Sequence, residues 1–60
     1  MTDMDIIHAA ADFGYSFEVA LAAIELCSDD DERAHYAERG VRVLLECVSR
    51  AATHEQRFHA

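Results

Sequence analysis

Glu32-Arg33-Ala34-His35 spells E-x-x-H, which sets a carboxylate and an imidazole one helical turn apart. Carboxylate-bridged di-metal bundles use that pair with glutamates from neighbouring helices, and Glu25 would lie close by across a chain reversal. Such ligands must project into a bundle core at mid-height on every helix. Glu32 and His35 instead fall beside polar positions in a first turn, so a metal-binding four-helix bundle stands only as an alternative and no metal ligand is assigned. His8 and Asp12, four apart, could hold a cation but read first as a surface hydrogen bond. His54 and His59, five apart, fall on different faces of a helix. Cys27 and Cys47 could be a redox pair, yet a straight hairpin separates them by about 20 Å, far beyond disulfide reach. They read as buried structural thiols. No Ser-His-Asp or Cys-His spacing and no Gly-rich phosphate loop is present. The expectation is therefore no catalytic residue, no cofactor and no enzyme.

The elements that would position these side chains are set by one interruption, Ser28-Asp29-Asp30-Asp31-Glu32. Four consecutive acids cannot be buried unpaired, so the segment faces water and reverses the chain. On either side the residues repeat at helical steps of three and four, with no match to a period of two. The spacing predicts an all-α chain: a single helical-hairpin domain over residues 1–60, with helix 1 over roughly 3–27, an acidic hinge at about 28–31 and helix 2 over roughly 32–57. Thr2 with Asp5 forms a T-x-x-D capping box, and Ser28 with Asp31 or Asp29 with Glu32 offers another. The main stripe of helix 1 is Ile7, Ala10, Gly14, Phe17, Leu21 and Ile24, flanked by Ile6, Phe13, Ala20 and Cys27. That of helix 2 is Ala34, Ala37, Val41, Leu44, Val48 and Ala51, with Phe58 beyond. Folded at the hinge, Leu21 lies level with Val41 and Gly14 with Val48, an antiparallel αα-hairpin.

A second stripe lies more than a quarter turn away on each helix: Tyr15, Val19, Ala22 and Leu26 on the first, Tyr36, Gly40, Val43 and Cys47 on the second. A lone hairpin would expose both tyrosines, so these eight residues are the expected dimer or partner face, and two hairpins meeting there make a four-helix bundle. Gly40, read as mid-helix, suggests close helix approach. Leu21, read as core, should not tolerate truncation. The outward row Glu38, Arg42, Glu46, Arg50 and His54 alternates in sign and reads as a solvated face of i,i+4 pairs.

A 60-residue domain buries only about 60% of its unfolded surface, yet 52% of the residues are hydrophobic and 28% charged. Such an excess of apolar surface favours self-association. The net charge is −7, with five acids and no base in residues 1–27, and five arginines against three glutamates from Arg33 onward. That balance argues against general nucleic-acid or anionic-membrane binding, which need a basic surface. The acidic start does not read as a signal peptide, no uncharged run approaches a membrane span, and two cysteines without framework spacing point to a reducing cytoplasm.

The length, the helix lengths, the acidic hinge SDDDE and a cysteine in the second helix, Cys47, resemble the Rop family of plasmid copy-number regulators. That resemblance implies a helical hairpin dimerising into a four-helix bundle. The family's RNA-binding face uses basic and amide side chains with an aromatic along the first helix. Here helix 1 offers Asp3, Ala10, Gly14, Glu18 and Glu25 at comparable places, so RNA binding does not carry over. A Rop-like RNA or DNA binder using Arg39, Arg42, Arg50 and Arg57 of helix 2 is the alternative. The chain also resembles small acidic bacterial and phage-encoded regulators that sequester a transcription factor or enzyme, an analogy of fold class. The function expected is a non-catalytic regulatory or adaptor protein, binding itself or another protein through apolar helix faces.

Overall fold

The computed structural model describes the backbone of residues 1–59 and the side chains of residues 1–52. Helix α1 (Asp3–Phe13) is followed by α2 (Phe17–Leu26), α3 (Asp30–Arg39) and α4 (Val41–His59). The described residues are all-helical, with no strand. The expected hairpin of two long helices is not what forms: each predicted helix is divided in two at its glycine. The side chains of His54, Arg57, Phe58 and His59 lie outside the described residues.

The Thr2 capping box forms as the sequence predicts. The Asp5 N–H donates to Thr2 Oγ1 at 3.2 Å, and the Thr2 N–H donates to Asp5 Oδ2 at 2.8 Å. That second bond holds the Asp5 carboxyl below the ordinary carboxylate range. The first division comes twelve residues after Thr2. Gly14 adopts φ 83° and ψ 18°, a left-handed conformation that costs glycine little and other residues more. The Gly14 N–H reaches the Ala11 carbonyl at 3.2 Å and the Tyr15 N–H reaches that of Ala10 at 2.8 Å. This is a Schellman ending, which satisfies carbonyls that the helix would otherwise leave open. Ser16 then caps α2, its hydroxyl accepting from the Val19 N–H at 3.3 Å. Gly-Tyr-Ser is thus a stop and a start in three residues.

At the hinge the Ser28 hydroxyl donates to the Glu25 carbonyl at 2.7 Å, and Asp29 Oδ1 accepts from the Asp31 N–H at 2.8 Å to cap α3. Asp30, Asp31 and Glu32 fill the first turn of α3, where the helix dipole favours them. Gly40 makes the second division at φ 112° and ψ 144°. Its N–H ends α3 on the Tyr36 carbonyl at 2.8 Å, and its carbonyl accepts from Val43 and Leu44 to begin α4. Gly40 is therefore not a mid-helix residue, and no other part of the chain lies within 4 Å of where its Cβ would stand. Its backbone angle, rather than close packing within the chain, accounts for the glycine.

The turn at Gly14 sends α1 back along α2. A straight helix over 3–27 would hold residue 3 about 36 Å from the hinge, yet Asp3 contacts Arg33 at 2.7 Å. α4 packs against all three other helices. The core between them is Ile6, Ala10, Ala20, Ala23, Cys27, Leu44 and Leu45. Burying Ile6, Leu44 and Leu45 contributes about 1.5–3 kcal/mol each.

The expected main stripe needs correction. Ile6, Ala10, Ala20, Cys27 and Leu44 are buried, while Ile7, Ile24, Val41 and Val48 are half-buried. Phe17 is 63% exposed and Leu21 47%, and Ala34, Ala37 and Ala51 are also exposed. Ala23 and Leu45 take the inward places. The heptad was read through Gly14 as if the helix continued, and the turn there resets which side of α2 meets the core.

Candidate functional site

The eight residues of the second stripe stand in unlike environments. Tyr15, Val19 and Tyr36 are half-buried and pack against the core. Gly40 is the α3–α4 break. Ala22, Leu26, Val43 and Cys47 are exposed. Val19 and Ala22 line a cleft of about 240 Å³ with Val48, Ser49 and Ala52, and Ser16 and Glu18 complete its lining. The lining is mostly small side chains, so the cleft is a dent between α2 and α4 rather than an enclosed pocket.

The Gly40 turn also brings residues together that a straight helix keeps apart. Tyr36 and Cys47 stand eleven positions apart in sequence, about 16 Å along one helix. Here the Tyr36 hydroxyl lies near the Cys47 thiol, and burial pushes the phenol above its usual range, with Cys47, Glu32 and Cys27 adding to the shift. Cys27 is buried, which raises its thiol pKa, and Cys47 is exposed. Two buried structural thiols are thus corrected to one. His35 packs its ring edge against Tyr36, with centroids 5.0 Å apart at 84°.

Arg33, one of the two unassigned positions of E-x-x-H, joins three parts of the chain. Its Nε donates to the Cys27 carbonyl at 2.9 Å, Nη1 to the Met1 carbonyl at 2.8 Å, and Nη2 to Asp3 Oδ1 at 2.7 Å. The planar guanidinium suits this task because its donors point in fixed, divergent directions. The Asp3 carboxylate strengthens its hold on the proton. No spacing rule marks the contact, because Asp3 and Arg33 meet only once α1 has turned back.

Glu32 and His35 gather no further ligand, and among the described residues no three His, Cys, Asp or Glu side chains lie close enough to hold a metal ion. The arginines of the expected second helix are divided by Gly40, with Arg39 on α3 and Arg42 and Arg50 on α4. Arg50 pairs with Glu46 at 2.8 Å, and the Arg42 guanidinium lies 5.3 Å from the centre of the Phe13 ring. No described helix is long and apolar enough to cross a membrane.

The apolar side chains most open to water are Met4, Phe13, Phe17, Leu21, Leu26 and Val43. Phe17, Leu21 and Leu26 are on α2, and only Leu26 and Val43 were expected on the binding face. The signal for Phe17 and Leu21 was present in Gly14-Tyr15-Ser16: a helix that restarts at Ser16 has its own inward side. No protein-family model, curated protein or solved structure matches the chain.

Proposed function

We propose that this chain is a small, acidic, non-catalytic regulatory or adaptor protein that works in the cytoplasm by binding protein through apolar helix faces. The observation that carries the reading is on α2, where Phe17, Leu21 and Leu26 are exposed although the core among the described residues holds seven side chains, three of them alanine. A chain with so few buried groups gains from covering these side chains, and protein surfaces rich in aromatic and aliphatic anchors are the usual cover. A second copy or a different protein can supply it. The size and charge suit an inhibitor or antiactivator that occupies a groove on its target. Among the described residues Arg39 lies on α3 and Arg42 and Arg50 on α4, with Arg50 paired to Glu46, which favours a protein partner over nucleic acid.

The test pairs affinity capture by the tagged chain with capture by a Phe17→Ser/Leu21→Ser double variant, both checked for helicity. The proposal expects a protein, or a second copy of the chain, in near-stoichiometric yield and lost in the variant. Nuclease-sensitive recovery of RNA or DNA, or equal recovery by both proteins, overturns it.

A further inference from the structure

The outward half of α2 has an order of its own. At 100° per residue, Phe17, Leu21, Glu25, Glu18, Ala22 and Leu26 follow one another around half of the helix. All six are exposed, while Ala20, Ala23 and Cys27 fill the opposite side. The face is apolar at both edges and carries an acidic ridge down its middle. Glu18 and Glu25 stand two turns apart, about 10.5 Å. Among the described residues neither has a cationic partner, the ion pairs there being Arg33–Asp3 and Arg50–Glu46. No base precedes Arg33 in the chain.

We infer that this face docks a cationic amphipathic helix of another protein, with Arg or Lys seven residues apart to meet Glu18 and Glu25 and a large apolar side chain to enter the neighbouring cleft. The inference rests on the protein-binding reading above and names the partner's chemistry. Charge complementarity decides between occupants. A second copy laid α2 to α2 sets glutamate against glutamate and adds another −7. Of its described arginines, Arg33 makes three hydrogen bonds, Arg42 lies over Phe13 and Arg50 pairs with Glu46, which leaves Arg39 on α3 as one cation against two glutamates about 10.5 Å apart. The cleft supplies the second determinant. Glu18 and Ala22 belong to both the ridge face and the cleft wall, and about 240 Å³ accommodates one leucine- or phenylalanine-sized anchor. The exposed carboxylates would steer and orient the partner, while Phe17, Leu21 and the anchor supply binding that salt does not remove.

The probe is a fluorescein-labelled amphipathic peptide of leucine, alanine and two arginines spaced by seven, titrated by anisotropy against the full chain at low and high salt. Saturable binding is expected, weakened but not abolished by salt. Glu18→Gln/Glu25→Gln should weaken it about tenfold or more. Asp30→Asn/Asp31→Asn, which removes the same charge from the hinge, should change it by less than about twofold. Ala22→Phe, which fills the cleft from an exposed position, should also weaken it. Absence of saturable binding, equal losses from the α2 and hinge variants, or indifference to Ala22→Phe overturns the inference. A dimer by sedimentation that Phe17→Ser dissociates overturns it too, because a second copy then covers the face. If affinity capture depends on Phe17 and Leu21 but not on the two glutamates, this inference fails while the protein-binding reading stands; capture of nothing by the parent chain ends both.

Discussion

α2 and α3 are both ten-residue helices opened by a side-chain cap, Ser16 and Asp29, yet different physics holds each in place. α2 buries Ala20 and Ala23 against α1 and α4, and small side chains there let the helix axes approach. α3 buries no residue at all. It is held by contacts near its ends: Asp29 and the acidic first turn at the start, Arg33 reaching Met1, Asp3 and Cys27, and Tyr36 leaning on the core beside Cys47 before Gly40 turns the chain. A helix can thus be placed by its sides or by its tethers, and the two kinds should fail differently. The exposed surfaces differ in the same way. α2 is oily outside because its apolar residues outnumber its inward places, and α3 is polar outside because six of its ten residues are charged.

The largest expected effect removes the support that both helices share. Leu44 is fully buried in α4, and Leu44→Ala should cost about 2–5 kcal/mol, most of the stability of a domain this small. Urea denaturation followed by far-UV circular dichroism should then show α2 and α3 lost in one transition. Amide-exchange protection surviving in α3 alone would show that its tethers suffice without the core.

The next effect is aimed at α3. Gly40→Ala forces an L-residue to φ 112° and ψ 144°, at a cost of about 1–3 kcal/mol. Alanine also favours a helix running straight through, which would carry Tyr36 away from Cys47. The expected outcome is a retained or stronger helix signal with a radius of gyration above the present 11.2 Å, read by small-angle scattering. Gly14→Ala should cost less, about 1–2 kcal/mol, because its left-handed angles are ones that alanine can adopt under strain. A melting curve for Gly40→Ala that matches the parent would mean that the backbone angle carries no constraint.

Arg33→Met tests the tether directly, keeping a long apolar stem and removing all three hydrogen bonds. It should lower the melting temperature by about 5 °C and loosen α3 before α2. Amide exchange resolves the order, and equal deprotection of the two helices would erase the distinction. The smallest effect is expected from Leu21→Ala. Its side chain is nearly half exposed, so the urea midpoint should move by less than about 0.5 kcal/mol equivalent. A loss of several kcal/mol would place Leu21 in the core after all.

Much of this was legible in the residues themselves. Helix-favouring composition and steps of three and four specify an all-helical chain. Thr2 with Asp5 and Asp29 before an acidic turn mark two helix starts, because a cap is a bond between near neighbours and needs no tertiary structure. The stop at Gly14 was equally local: glycine followed at two residues by serine is an ending and a new cap, and reading one stripe across it put Phe17 and Leu21 in the core. Gly40 is a different case. A glycine inside a helix costs about 1 kcal/mol relative to alanine, a penalty that packing can absorb, so a straight helix and a break both fit the local sequence. The break is supported where α3 packs on α4 and Tyr36 meets Cys47, residues a continuous helix would keep about 16 Å apart. The same holds for Arg33, two of whose partners, Met1 and Asp3, lie some thirty residues away, and for the acidic ridge of α2, which faces outward only because Ala20, Ala23 and Cys27 face in. Composition and caps determined that this chain is helical and where helices can start. Which side of each helix meets water was decided by the fold, because burial depends on contacts between segments that no local spacing records.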